Sequence, residues 1–195
     1  MFNSNCAALI LMGGQNKRMH GQHKAFLMFN HQTFLERITT NLSSFSHLYL
    51  SVNDYGLFKG LDFPLIQDLY PSLGPMGGIY SALKTLPYDY LFVTGCDMPY
   101  ITDGFAQFMI ANYASTAPCF ALSNDEGFFY PLGAIYNKSA LPYIENLIEK
   151  KCYRMQQLIN QSPSQTMALS DTPFNPSIFT NINTPELYHL LLKNS

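Results

Sequence analysis

The stretch that decides the fold is residues 7–24, which read AALILMGGQNKRMHGQHK. Residues 7–12 form a short run, dense in aliphatic side chains, that stops at a pair of glycines. Such a run is typical of a buried strand in a parallel sheet. Because Gly13 and Gly14 lack a Cβ, the backbone can turn sharply after this strand and bring its N–H groups close to a ligand.

The loop after the glycines is basic, because it carries Lys17, Arg18 and Lys24, and no acidic residue precedes Glu36. Backbone N–H groups beside cations predict an anion site at the end of the strand. The loop lacks the Gly-Lys-Ser/Thr of a P-loop and the spacing of a G-x-G-x-x-G loop. The alternative is that these cations are ordinary solvated side chains, which we favour for Lys17.

The composition limits the class of protein. The chain has 195 residues, of which 47% are hydrophobic and 12% charged, so we expect a compact single domain. A net charge of −2 argues against a nucleic-acid-binding surface, and no apolar stretch is long enough to cross a membrane. The four cysteines contain no C-x-x-C pair, which favours a reducing, cytoplasmic location and excludes the usual zinc spacing.

Apolar runs alternate with helical patterns through the first hundred residues. Further strands are predicted at 48–52, 63–66 and 90–94, with helices at 33–42 and 79–86. This alternation indicates an α/β fold, with a mostly parallel, three-layer, Rossmann-like sheet covered by helices on both faces. We treat 1–195 as one domain, with halves 1–100 and 101–195.

The second half is more mixed. Its predicted elements are helices at 102–113, 141–151, 154–159 and 187–192, and strands at 118–123, 128–136 and 166–169. Residues 124–127 read as the turn of a hairpin. Thr184-Pro185-Glu186 reads as the start of the last helix, with proline at its first position.

Polar residues follow the predicted parallel strands where each strand ends. Gly13-Gly14, Ser51 with Asn53, Asp68 and Asp97 hold these positions. Since ligands bind beyond the carboxyl ends of parallel strands, these residues are expected to lie along one edge of the sheet.

Asp97 is the strongest single candidate for chemistry. A carboxylate at the end of a buried strand is costly unless it is paired or bound to a cation. Mg²⁺ prefers one or two carboxylates together with substrate phosphates, so Asp97 is the candidate metal ligand. The alternative is an aspartate that caps the helix near Thr102.

Three other groups of residues have a functional and a purely structural interpretation. Asp68 can accept hydrogen bonds from a ribose or a base edge, or merely initiate a turn. The Gly-rich stretch 74–78 either shapes a pocket or only leads into a helix. Asn181 and Asn183 point to the same face of an extended segment, where they either grip a second substrate or satisfy backbone groups near Thr184.

These motifs together resemble the molybdenum cofactor guanylyltransferase family of the nucleotidyltransferase superfamily. The matching blocks are Leu11-Met12-Gly13-Gly14 with Arg18 and Lys24, Gln67-Asp68 with 74–79, 96–100, and 181–187. The first block has Met12 where the family has alanine, and Ser51 stands where some members have a GTP-binding asparagine. His20 and His23 stand where the family often has glycine and aspartate. Together with Ser51, they bear on the selectivity for guanine rather than on the fold.

The resemblance implies roles for individual residues. It implies GTP contacts from Leu11, Met12, Gly13, Gly14, Lys24, Ser51, Asn53, Asp68 and Asp97. It implies catalytic roles for Arg18, Lys24 and Asp97, with Mg²⁺ as the cofactor bound by Asp97. Gly77, Gly78, Asn181 and Asn183 are the candidates for the molybdopterin side.

The resemblance implies transfer of GMP from GTP to the molybdopterin cofactor, with release of pyrophosphate. Its substrates are then GTP and molybdopterin, with transient contacts to cofactor-synthesis or molybdoenzyme-maturation proteins. One alternative is another nucleotidyltransferase, such as a cytidylyltransferase or a sugar-phosphate nucleotidyltransferase. The other is a non-catalytic nucleotide-binding partner in cofactor assembly.

Overall fold

The computed structural model describes residues 5–13 and 23–193. Within them, seven strands form one sheet. They are β1 (Cys6–Leu11), β4 (Leu48–Val52), β5 (Leu65–Gln67), β6 (Tyr90–Gly95), β7 (Cys119–Ser123), β8 (Phe129–Asn137) and β9 (Gln165–Ala168). Their order in the sheet is β5-β4-β1-β6-β8-β7-β9. A small separate hairpin pairs β2 (Met28–Phe29) with β3 (Gln32–Thr33).

The first half of the sheet is parallel, as the alternation of strands and helices predicts. β1 lies between β4 and β6 and runs parallel to both, and β4 runs parallel to β5. Leu11 is level with Ser51 on one side and with Gly95 on the other. The residues that follow these strands therefore emerge side by side at one edge.

The second half adds antiparallel strands. β8 pairs antiparallel with both β6 and β7, and β9 returns parallel to β7. The hairpin predicted around residues 124–127 is confirmed, with Asn124 accepting hydrogen bonds from the N–H groups of Glu126 and Phe128. The mostly parallel α/β class is thus confirmed.

Helices cover both faces of the sheet. They are α1 (Phe34–Asn41), α2 (Pro75–Thr85), α3 (Asp103–Asn112), α4 (Leu141–Glu149), α5 (Met155–Gln161) and α6 (Pro185–Lys193). The capping box predicted at Thr33 and Glu36 is present at the start of α1. None of the helices in the described part of the chain is long and apolar enough for a membrane span.

Successive side chains along a strand point to opposite faces of the sheet, so the core has two layers. Ala8, Ile10 and Met12 pack with the side chains of α1 and α3 on one face of the sheet. Ala7, Leu9 and Leu11 pack with α2, α4 and α5 on the other face. Because every residue of β1 is buried, the loop after this strand starts from a rigid base.

One boundary differs from the prediction in a way that concerns the site. The sequence pattern predicts that the second helix begins at Ile79, but α2 begins at Pro75. Gly74 adopts a φ of 61°, and Pro75 occupies the first helical position, where its missing N–H has no intrahelical partner to lose. The glycines at 77 and 78 therefore lie within the first turn of a buried helix.

Candidate active site

A pocket of about 480 Å³ opens at the carboxyl edge of the parallel strands. Most of the residues predicted for the site line it. They are Leu11, Gly13, Lys24, Ser51, Asn53, Asp68, Gly78, Asp97, Asn181 and Asn183. The convergence predicted from the strand ends is therefore observed, and two asparagines near the end of the chain join it.

Lys24 is not a solvated surface cation. It begins a short 3₁₀ helix, Lys24–Phe26, and its ammonium nitrogen lies 2.9 Å from the Oδ2 of Asp97. The same nitrogen donates a hydrogen bond to the side-chain oxygen of Asn183. The Lys24 and Asp97 side chains are only 17% and 16% exposed, so the pair sits in the wall of the pocket rather than in bulk water.

Asp97 is held at the end of β6 by its neighbours on both sides. The N–H of Cys96 donates to the carbonyl of Leu11 at 3.1 Å, and the carbonyl of Asp97 accepts from the N–H of Ile182 at 2.9 Å. The alternative role as a helix cap is excluded, because Thr102 itself caps α3 by accepting from the N–H of Phe105. The Asp97 carboxylate is therefore available to the pocket.

Gly95 leaves room for that carboxylate. A Cβ built on Gly95 would lie 2.7 Å from the Oδ1 of Asp97, closer than ordinary van der Waals contact. The neighbouring Cys96 is not a nucleophile, because burial and the adjacent Asp97 raise the pKa of its thiol far above the usual range. Asp97 therefore supplies the negatively charged side chain at this strand end.

Ser51 and Asp68 form a second polar pair on the far side of the pocket. The Ser51 hydroxyl donates to the Oδ1 of Asp68 at 3.0 Å. Burial raises the pKa of Asp68, and the hydrogen bond from Ser51 opposes that rise. Among the described residues no ion pair involves Asp68, so its carboxylate can accept N–H or O–H donors from a ligand.

Helix α2 closes the pocket beside this pair. A Cβ on Gly78 would run into the Ser51 hydroxyl and would lie 2.9 Å from Cδ2 of Leu11. Glycine at this position therefore lets the helix approach the strand ends. Gly77 lies one residue earlier in the same turn, against the carbonyl of Tyr70.

The asparagines of the C-terminal segment have different environments. Asn183 accepts from Lys24, whereas the buried Oδ1 of Asn181 has no hydrogen-bond partner among the described residues. Both side chains reach the pocket because Ile182, between them, is buried against Phe29, Phe34 and Leu191.

Some predicted residues lie elsewhere. Met12 is 1% exposed, packs in the core and does not line the pocket, and its N–H donates to the carbonyl of Ser51. Gly14 and Arg18 lie outside the described residues. Pro71, Ser72 and Leu132 line the pocket without having been among the candidates. The Pro- and Gly-rich composition of 70–78 is the one sequence signal that points to the first two.

The described residues contain no cluster of three histidine, cysteine or acidic side chains that could enclose a metal ion. The chemistry of the pocket is that of one carboxylate and one lysine on one side, and a hydroxyl–carboxylate pair on the other. Such a site neutralises and orients a polyanion, and no covalent nucleophile with its base was identified among the described residues.

Comparison with known proteins agrees with this geometry. Residues 8–166 match the MobA-like NTP transferase domain. The chain belongs to this family. The match begins within β1, covers the loop that follows it, Asp68 and Asp97, and ends before the C-terminal asparagines.

Relatives and solved structures extend over nearly the whole chain. A probable molybdenum cofactor guanylyltransferase of Clostridium perfringens is 30% identical, and the alignment covers 96% of both chains. One from Carboxydothermus hydrogenoformans is 29% identical over 97% of this chain and 96% of its own. Molybdopterin-guanine dinucleotide biosynthesis protein A of Archaeoglobus fulgidus has a similar structure, with a TM-score of 0.83, 20% identity and 97% of each chain covered.

A more distant enzyme shares only the fold. The 4-diphosphocytidyl-2C-methyl-D-erythritol synthase of Anaerococcus prevotii superposes with a TM-score of 0.69 at 13% identity, over 97% of this chain and 95% of that chain. The Rossmann-like α/β fold is thereby confirmed. The family resemblance of the motifs is confirmed by the family match and by the relatives, so the chain is a nucleotidyltransferase by family.

Proposed function

We propose that this protein transfers GMP from GTP to the terminal phosphate of the molybdopterin cofactor and releases pyrophosphate. The observation that carries the proposal is the Lys24–Asp97 pair at the edge of the sheet, in a pocket that also holds Ser51 and Asp68. The relatives that cover nearly the whole chain are named as probable molybdenum cofactor guanylyltransferases, which supports the choice of both substrates.

The reaction needs charge compensation more than proton transfer. An oxygen of the acceptor phosphate forms a bond to the α-phosphorus of GTP, and the bond from that phosphorus to the bridging oxygen of the β-phosphate breaks. Pyrophosphate leaves with the bonding electron pair. The attacking oxygen is already an anion, so no general base is required. The barrier comes from bringing two anions together, and positioned cations lower that barrier.

The nucleotide is proposed to lie across the strand ends. Lys24 and Gly13 would contact its phosphates, and the roles of Gly14 and Arg18 stay predictions. Ser51, Asn53 and Asp68 would face the base and ribose. The paired N–H donors on one edge of guanine suit the Asp68 carboxylate, whose oxygens can still accept hydrogen bonds beside the one from Ser51, and this gives the site a means of preferring GTP.

The residues present fit Mg²⁺ as the cofactor. Mg²⁺ is characteristically held by one or two carboxylates and substrate phosphates rather than by an all-protein cage, and Asp97 supplies one carboxylate facing the pocket. The missing Cβ of Gly95 leaves space on the side of Oδ1. When bound there, the ion would neutralise phosphate charge.

The acceptor is proposed to bind beside Asn181, whose buried oxygen has no partner among the described residues. The sequence-based assignment to that side stays a prediction for Gly77, Gly78 and Asn183.

We keep the cytoplasm as the proposed location, because the four cysteines are free thiols. Contacts with cofactor-synthesis or molybdoenzyme-maturation proteins also stay predictions.

The test is pyrophosphate release by the purified protein supplied with molybdopterin cofactor, Mg²⁺ and GTP, CTP or UTP in turn. The proposal expects release with GTP, dependence on Mg²⁺, and formation of a guanine dinucleotide product. Release with CTP or UTP but not GTP would replace it with another nucleotidyltransferase activity. Tight GTP binding without pyrophosphate release would favour a non-catalytic partner.

A further inference from the structure

The ammonium group of Lys24 is held by two side chains that come from distant parts of the chain. One is Asp97, at the end of β6, and the other is Asn183, which lies 159 positions from Lys24. An ammonium has three donors and no acceptor, and side chains among the described residues accept from two of them, so a third donor can serve a ligand in the pocket.

Asn183 can hold this position because its backbone is fixed. The N–H of the preceding residue, Ile182, donates to the carbonyl of Asp97 at 2.9 Å. The Ile182 side chain is 1% exposed and packs against Phe29 and Phe34. The amide of Asn183 is thus anchored to the same strand end that carries the Asp97 carboxylate.

We propose that Asn183 is a positioning residue of the nucleotide half of the site, which acts by holding the Lys24 ammonium where the triphosphate binds. This inference rests on the proposed function and assigns Asn183 to a different task from the acceptor contact that the motif implies. A lysine side chain has many rotamers, and fixing it before the ligand arrives reduces the entropy that binding must overcome.

The amide is suited to this task because it is neutral. Its oxygen accepts from Lys24 without adding a second negative charge beside Asp97, where that charge would repel the triphosphate. An aspartate at this position would form a stronger bond to Lys24 and would compete with the phosphates for it. The proposal therefore predicts that asparagine at position 183 favours GTP binding, whereas aspartate, which has nearly the same shape, weakens it.

The experiment measures GTP affinity by titration calorimetry with Mg²⁺ and without any acceptor. Asn183→Ala is expected to weaken GTP binding about three- to tenfold, the size of one net hydrogen bond. Asn183→Asp is expected to weaken it further, by about thirtyfold or more, because of the added charge. Asn160→Ala is the matched control, since Asn160 is exposed on α5 and does not line the pocket, and its GTP affinity should stay at the wild-type value.

A double-mutant cycle with Lys24→Met separates positioning from a general structural effect. If Asn183 acts through Lys24, Asn183→Ala has no further effect on GTP affinity once Lys24 is replaced. Melting temperatures show whether each variant is folded. If an Asn183 variant is not folded, Asn183→Ser takes its place. Equal GTP affinities for wild type and both Asn183 variants would overturn the proposal, as would an undiminished Asn183→Ala effect in the Lys24→Met background.

Failure of this inference differs from failure of the proposed function. If the wild type binds CTP or UTP rather than GTP, the guanylyl assignment falls and the same series with that nucleotide still decides the role of Asn183. If the wild type binds no nucleoside triphosphate, both are overturned. A change in the KM for the acceptor alone, with nucleotide affinity intact, would return Asn183 to the acceptor side.

Discussion

At the scale of single residues, the site consists of two polar pairs with different tasks. Lys24 and Asp97 form an ion pair that faces the proposed phosphates, and Ser51 and Asp68 form a hydrogen bond that faces the proposed base. Asp97, Asp68 and Ser51 could be found from the sequence, because each follows a strand whose end meets the same edge. The bond from Lys24 to Asn183 could not, since no local pattern connects positions so far apart in sequence.

Replacing Asp97 by asparagine tests the first pair. The amide would keep the shape of the side chain and lose its charge, so we expect Asp97→Asn to give a folded protein whose Mg²⁺-dependent turnover falls by about a thousandfold or more. Pyrophosphate release measures the activity, and the melting temperature controls for folding. Turnover near the wild-type rate in Asp97→Asn would remove this carboxylate from the mechanism.

Replacing Asp68 by asparagine tests the second pair through stability. Because burial raises the pKa of Asp68, the folded protein binds that proton more readily than the unfolded chain, and stability falls as the pH rises through the raised pKa. Asp68→Asn should therefore raise the free energy of unfolding at pH 7, by less than about 1 kcal/mol because the side chain is partly exposed. The gain should vanish as the pH falls to the ordinary range of a carboxyl group.

The same variant should bind GTP less tightly, since an amide offers one acceptor atom where the carboxylate offers two. Denaturant unfolding at several pH values, alongside GTP titration, gives both readouts. A loss of stability at pH 7, or unchanged GTP affinity, would contradict the role assigned to Asp68.

At the scale of elements, the parallel strands and the capping box of α1 could be predicted from the sequence, but the start of α2 could not. Runs of glycine and proline favour a loop, which is why the sequence predicts one at 74–78. The structure instead uses these glycines in a helix that must approach Ser51 closely. Tertiary packing here outweighs the low helix propensity of glycine.

Substitution of Gly78 measures how much that approach matters. Gly78→Ala would place a methyl group against the Ser51 hydroxyl and Leu11, so we expect a loss of about 1–3 kcal/mol of unfolding free energy and weaker nucleotide binding. Gly104→Ala is the control, because Gly104 lies in α3 and no atom of the described neighbours lies within 4 Å of the position that its new methyl group would take.

In the control, the added methyl group should stabilise α3 by up to about 1 kcal/mol, because Gly104 is exposed on that helix. Chemical denaturation of both variants decides between the two effects. If Gly78→Ala is as stable as Gly104→Ala and binds GTP normally, helix α2 does not need its glycine for this contact.

At the scale of the whole molecule, the site is built from both halves of the chain. Residues from 11 to 97 supply the strand ends, while Leu132, Asn181 and Asn183 from the second half of the chain complete the lining of the pocket. Sequence patterning predicts which strands are parallel, yet it cannot show that the C-terminal segment folds back onto Asp97. That return is held by the hydrogen bond from the N–H of Ile182 to the carbonyl of Asp97, by the bond from Lys24 to Asn183 and by the burial of Ile182.

The central claim is that Lys24 and Asp97 act on one triphosphate in one pocket. A crystal structure with GTP and Mn²⁺, with the metal located by its anomalous scattering, tests this claim most directly. We predict a metal ion on the Asp97 carboxylate, phosphate oxygens within hydrogen-bond distance of the Lys24 ammonium, and the base beside Ser51 and Asp68. A triphosphate bound away from both Lys24 and Asp97 would contradict the account.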